Sequence, residues 1–284
     1  MKPTSLFFTI CGDFYRSLEM KVWTGSLIKY MEQFGISDGL VRVTLSRMAQ
    51  QGLIESQKSG HKSYYSLTLK GRRRVQDGVT RVYNHVGDPW DGFWRIVFCN
   101  SNELEKDTRD RFKKELQWSG FGYLGDNTWI SPHNRHAHVL SMIEEYDIAS
   151  HVRLFTARYD GPQSYRDIVL NAWKIEEIER YYSDFLQRFE PEYQKVFERS
   201  LNGTLTDNEA FVYRTLLVHE YRKFLFVDPK LPKELLPTYW IGEQADNFFD
   251  LYHQFLSPLA EKFFYSNLVV LDAESEGVEA VKTT

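Results

Sequence analysis

Leu6, Phe7, Ile10 and Phe14 recur at helical spacing, which predicts a helix over residues 5 to 18. Leu27, Ile28 and Met31 predict a second over 24 to 34, stopped by Gly35. Ser37 then stands as an N-cap with Asp38 in the first turn, where a carboxylate suits the positive end of the helix dipole. That third helix runs to Gln51 and ends at Gly52. Leu53 to Gln57 and Lys62 to Leu67 read as strands joined by Lys58-Ser59-Gly60-His61, a sequence with hairpin turn chemistry. Thr68 can cap a further helix through Lys70-Gly71-Arg72-Arg73-Arg74, which leads to a break at Gly87-Asp88-Pro89. Helix, glycine stop, helix and hairpin in this order predict a winged helix-turn-helix.

Beyond Gly92 the period changes. Phe93 to Cys99 is strand-like, Leu104 to Trp118 helical, and Phe121 to Leu124 with Thr128 to Ser131 form a hairpin around Gly125-Asp126-Asn127. A helix near Ala137 to Tyr146 and a strand from Val152 to Tyr159 complete a βαββαβ order, the ferredoxin-like arrangement. After Gly161-Pro162 only helices are expected, at 173 to 189, 191 to 200, 207 to 224 and 243 to 265, and the acidic tail after Leu271 should fray. The fold class is therefore multidomain α+β. Residues 1–88 form the winged domain with its linker helix, 89–162 the ferredoxin-like domain and 163–284 a helical domain for dimerisation, effector sensing or both.

Length and composition agree: 284 residues exceed one small core, and 42% hydrophobic with 26% charged residues is an ordinary globular balance. The apolar run Leu6 to Cys11 is far too short for a membrane span, and Asp13 follows it at once. Two distant cysteines, Cys11 and Cys99, provide neither a disulfide framework nor a zinc or redox CxxC, so a reducing cytoplasm is expected. The net charge of −4 speaks against nucleic acid until it is divided along the chain. Residues 1 to 90 hold 13 Lys and Arg against 7 Asp and Glu, while the remainder holds 22 against 32. One end of the chain is basic and the other acidic.

On the helix from Ser37 to Gln51, Val41, Thr44, Leu45 and Met48 share one face, and Gly39, Arg42, Val43, Ser46, Arg47 and Gln50 lie on or beside the other. Arginine matches the guanine edge or grips phosphate, serine and glutamine bond base edges, valine meets a thymine methyl, and glycine permits close approach. Lys58, His61 and Lys62 in the hairpin place positive charge where an adjacent phosphate would lie, with Arg72 to Arg74 beyond. Taken singly, Arg42 and Arg47 read as the solvated side of a surface helix; taken with the rest, they point to double-stranded DNA.

Other chemistry is thinner. His133, His136 and His138 cluster without a neighbouring carboxylate or cysteine, and their spacing does not place two ligands on one helix face. They leave a metal-dependent nuclease or hydrolase in the central domain as the rival reading, although no metal site is expected. His219-Glu220 begins like a zinc-protease helix, but Lys223 stands where the second histidine belongs. No phosphate-binding loop, dinucleotide fingerprint or nucleophile elbow occurs, so no catalytic residue is assigned. Trp173, Tyr181, Tyr182 and Phe185 fall at helical spacing and read as core.

Several segments together resemble the PaaX family of repressors of phenylacetate catabolism: Gly12-Asp13, Trp23-Thr24-Gly25-Ser26-Leu27-Ile28, Phe34-Gly35-Ile36-Ser37, and Val41-Arg42 followed by Leu45-Ser46-Arg47-Met48. Ser63-Tyr64-Tyr65-Ser66-Leu67-Thr68, Gly120-Phe121-Gly122, Trp129-Ile130-Ser131-Pro132, His219-Glu220-Tyr221-Arg222-Lys223, Asp228-Pro229 and Leu235-Leu236-Pro237 extend the resemblance over nearly the whole chain. It implies a homodimeric repressor of an aromatic-degradation operon, with no cofactor, released from operator DNA by phenylacetyl-CoA or a related aryl-acyl-CoA. The central part is similar to small CRISPR-associated nucleases, which carry an aspartate at the end of the first strand where this chain has Cys99-Asn100. An acyl-CoA needs cations near an aromatic-lined cleft, so Arg214, Arg222, Lys223 and Trp240 are the candidate effector residues, with ordinary core or dimer-surface roles as the alternative.

Overall fold

The computed structural model describes residues 1–15, 17–83, 89–100, 103–271. The expected break at Gly87-Asp88 and the acidic tail after Leu271 lie outside them. The described residues form a mixed α+β protein of ten α-helices and two small sheets. They divide into two compact units, one drawn from residues 1–83, 191–220 and 249–271, the other from 89–190 and 221–248.

In the first unit the chain runs α1 (Pro3–Phe14), β1 (Val22–Trp23), α2 (Thr24–Glu32), α3 (Asp38–Gln50), β2 (Ile54–Ser59), β3 (Lys62–Leu67) and α4 (Leu69–Tyr83). The strands pair antiparallel in the order β1-β3-β2. The two-residue β1 is too short to leave a period and is absent from the sequence reading. Both predicted glycine stops are present, with Gly35 at φ 72° and Gly52 at φ 66°. At Gly52 the amide bonds Ala49 O at 2.9 Å while Leu53 N reaches Met48 O at 3.0 Å, the paired bonds that end a helix on a left-handed residue. Thr68 caps α4 as expected, its hydroxyl accepting from Gly71 N at 3.1 Å. Ser37 holds the N-cap position of α3, but its hydroxyl makes no capping bond; this turn is exposed, so water can serve its free amides.

The second unit contains β4 (Trp94–Cys99), α5 (Lys106–Trp118), β5 (Gly122–Gly125), β6 (Thr128–Ser131), α6 (His136–Glu145), β7 (Val152–Ala157) and α7 (Tyr165–Ala172). Its sheet runs β5-β6-β4-β7, every neighbour antiparallel. Val97, Phe112, Leu116, Trp129, Val139 and Met142 fill the core between sheet and helices. Gly122 is required there, because a Cβ would lie 2.6 Å from the Trp173 ring.

Three long helices complete the chain: α8 (Ile175–Leu201), α9 (Asp207–Phe224) and α10 (Ile241–Ser266). Each contributes one stretch to each unit. The helix expected to end at Phe189 instead continues through Pro191 as α8. Of the aromatic stripe, Trp173, Tyr182 and Phe185 are buried and Tyr181 is exposed.

In the first unit Tyr30 stacks on Phe264 at 4.7 Å and Phe14 on Phe264 at 5.0 Å. In the same unit Asp13 has a fully buried carboxylate. It accepts from Arg214 twice at 3.0 Å, from His253 at 2.8 Å and from the Tyr83 hydroxyl at 2.6 Å. Burial alone would raise the Asp13 pKa; the His253 hydrogen bond and the Arg214 charge outweigh it and hold the carboxyl below its ordinary value.

Candidate nucleic-acid interface

The heptad-like placement of Val41, Thr44, Leu45 and Met48 buries one side of α3 and thereby fixes what the other side presents. Ser37, Gly39, Arg42, Val43, Ser46, Arg47 and Gln50 are all exposed, so every residue named on this helix faces outward. Leu40 joins them and was missed; it and Val43 are each 46% exposed, leaving two aliphatic side chains among polar ones. An apolar residue one position before a buried one was the available signal. Arg42 is not idle: its guanidinium bonds Asp38 at 2.5 Å one turn earlier, an exposed pair that contributes little to stability and can exchange for another anion. The Arg47 side chain has no such partner among the described residues.

Lys58, His61 and Lys62 are exposed as expected. The turn between the strands is shorter than the four residues predicted, because Ser59 already pairs with Lys62 and only Gly60 and His61 lie between. Gly60 takes φ 58°, which glycine adopts without cost. Both lysines are thereby strand residues with a defined direction, and the Lys62 ammonium sits 4.9 Å over the Trp23 ring. The arginine run is partly engaged. Arg72 pairs with Glu19 at 2.6 Å and Arg74 lies 4.9 Å over the Phe8 ring. Arg73 is exposed.

The effector candidates separate. Arg214 belongs to the first unit and is 3% exposed, its guanidinium held by Asp13 and by Glu261 at 3.0 Å. It is a buried structural arginine with no side open to a ligand, which corrects its place in the phosphate-binding set. Arg222, Lys223 and Trp240 belong to the second unit. Trp240 meets the Tyr182 ring edge-on at 5.8 Å and lines a cleft of about 520 Å³ with Lys230, Lys233, Leu236 and Pro237. Asp228, Glu234, Glu243 and Asp246 also line it, four carboxylates against two lysines. Lys230 and Lys233 escaped the sequence reading, although the prolines around them mark a loop.

The histidine rival loses its basis. His133 is buried and bonds the Pro229 carbonyl at 2.8 Å, while His136 and His138 are exposed on α6. No three His, Cys, Asp or Glu side chains converge as metal ligands among the described residues. His219 is likewise buried, 2.9 Å from the Thr9 hydroxyl. The Asn100 amide at the end of β4 donates to Glu103 at 2.6 Å.

The fold and this surface define a multidomain α+β protein with an outward, partly basic helix face beside a lysine-bearing hairpin. Residues 2–71 match the PaaX-like protein family, residues 87–169 the PaaX protein central Cas2-like domain, and residues 173–266 the PaaX-like protein C-terminal domain. The chain is 32% identical over 263 residues to the transcriptional repressor PaaX of Escherichia coli (strain K12), covering 92% of this chain and 82% of that one. It belongs to the PaaX-like family. A solved structure of an uncharacterized protein from Mycobacterium tuberculosis has the same fold, with TM-score 0.58, 24% identity, and coverage of 85% of this chain and 89% of that one. No helix among the described residues is long and apolar enough to cross a membrane.

Proposed function

We propose that the chain is a cytoplasmic, homodimeric transcriptional repressor, a regulator and not an enzyme, which binds double-stranded operator DNA. Residues 1–88 serve as a winged helix-turn-helix, 89–162 as a ferredoxin-like domain, and 163–284 in dimerisation and effector sensing. The observation that carries this reading is the outward face of α3, where Arg42, Val43, Ser46, Arg47 and Gln50 share exposure while the opposite face holds the core. In a twofold dimer two such helices would enter successive major grooves, with Lys58, His61 and Lys62 on the flanking phosphates. The antiparallel strand order of each sheet supports both domain assignments.

The regulated genes are those of aromatic, in particular phenylacetate, catabolism, and phenylacetyl-CoA or a related aryl-acyl-CoA releases the DNA. Likeness to the repressor PaaX supports this part. The Trp240 cleft offers an aromatic wall for the aryl acyl end, while its surplus of carboxylates sends the coenzyme phosphates to cations outside it, for which Arg222 and Lys223 are the candidates. The test is an anisotropy titration of the protein on the promoter DNA of its own gene neighbourhood, with and without phenylacetyl-CoA. Nanomolar binding relieved by the thioester supports the reading, and binding no tighter than to random duplex removes it.

A further inference from the structure

Trp23 is not one of the residues assigned to DNA contact, yet its surroundings prescribe its place. In the β1–β3 register Trp23 lies opposite Tyr64. Side chains two apart on a strand share a face, so Lys62 lies diagonal to Trp23 on the face that Tyr64 also occupies. The backbone at this point is pinned from both sides. Trp23 N bonds Val269 O at 2.8 Å, and the Thr24 hydroxyl donates to Ser63 O at 2.7 Å, next to Lys62 itself. The indole lies flat on the start of α2: a Cβ on Gly25 would fall 2.3 to 2.6 Å from three of its ring carbons. Only a glycine there leaves room for the ring. The Lys62 ammonium lies over the same ring, 4.9 Å from the centroid.

We infer that Trp23 is a positioning residue for DNA binding: packed on Gly25, it holds the Lys62 ammonium beside the hairpin turn, oriented for a duplex phosphate. A free lysine loses several rotors when it meets a phosphate, and an indole that restricts it beforehand reduces that loss. The ring quadrupole also favours the charged head without neutralising it, unlike a carboxylate, which would compete with the phosphate. The inference rests on the DNA-binding reading above and adds to it a residue that touches no DNA.

The test is a double-mutant cycle on the full chain, with Trp23→Leu, Lys62→Ala and the double variant titrated on random-sequence duplex over a range of salt. Trp23→Phe keeps a ring face and serves as the conservative partner. Lys62→Ala should flatten the slope of log affinity against log salt by about 0.9, one phosphate contact. Trp23→Leu should weaken binding about two- to fivefold, Trp23→Phe less, and Trp23→Leu should add nothing once Lys62 is alanine. Additive effects of Trp23→Leu and Lys62→Ala overturn the inference, as does a Trp23→Leu protein that is folded by thermal melting and binds like wild type. Placement is read without DNA by NMR, where the ring should shift the Lys62 ε-methylene protons upfield in wild type and not in Trp23→Leu. An unshifted Lys62 in wild type sinks the inference and leaves the repressor reading standing. A shifted Lys62 in a protein that binds no duplex sinks the repressor reading and, with it, the function given to Trp23.

Discussion

Arg42 and Arg47 share the exposed side of one helix but not one state: Arg42 is tied to Asp38, and Arg47 is not. A base contact by Arg47 needs no bond broken first. Arg47→Ala should therefore weaken binding to the cognate operator by about 1–3 kcal/mol while leaving random-duplex binding nearly unchanged, as read by competition anisotropy. An equal loss on both DNAs would make Arg47 a phosphate contact. Gly71 gives a prediction about the scaffold behind this face. A Cβ on it would stand 2.0 Å from the Leu53 carbonyl oxygen, a rigid backbone atom, so α4 would have to move away from the start of β2. Gly71→Ala should cost about 1–3 kcal/mol in urea unfolding, despite alanine's better helix propensity. Gly78, on the same helix with open space around its Cα, is the control, and alanine there should be neutral or mildly stabilising.

Among elements, α1 shows how one carboxylate can organise several helices. Asp13 on α1 joins Arg214 of α9, His253 of α10 and Tyr83 of α4, all within the first unit. Asp13→Ala would leave the Arg214 guanidinium without its bidentate partner, so a loss of about 3–5 kcal/mol is expected. Because the folded Asp13 pKa lies below the unfolded one, its contribution is complete above the ordinary carboxylate value and fades as pH falls through the depressed one. Urea midpoints measured from neutral pH downward should show wild type losing this increment and Asp13→Asn lacking it throughout. Such long-range polar closure is illegible in the chain, where Asp13 reads as a polar residue ending an apolar run and as part of the Gly12-Asp13 resemblance, and Arg214 as a phosphate ligand or an ordinary core residue, with nothing to pair the two. What local pattern determines was legible: the buried stripe of α3, the glycine stops at Gly35 and Gly52, the Thr68 cap and the bounds of β3 at Lys62 and Leu67. The two-residue β1 and the short α7, which follows a Ser164 capping box, carry too few turns of any period to register.

For the whole molecule the uneven charge is the governing quantity: residues 1 to 90 carry 13 cations to 7 carboxylates, and the rest 22 to 32. The excess of cations in the stretch that carries α3 and the hairpin favours attraction to DNA phosphates despite the negative net charge of the chain. Affinity for operator should then fall steeply with salt, by about 0.9 in logarithmic slope for each phosphate contact, and a salt-independent constant would contradict phosphate binding. Effector release adds a requirement, since a ligand can displace DNA only by binding the DNA-free conformer more tightly than the DNA-bound one. If the Trp240 cleft is where phenylacetyl-CoA acts, Trp240→Ala should leave operator affinity within about twofold of wild type, since Trp240 belongs to the second unit and the proposed DNA face of α3 to the first, and raise the thioester concentration needed for release by about tenfold or more. Thermal melting supplies the second reading, because a ligand that binds only the folded state raises the melting temperature with its concentration. Wild type should be stabilised by the thioester and Trp240→Ala should not. A Trp240→Ala protein that is stabilised and released like wild type would move the effector site out of this cleft.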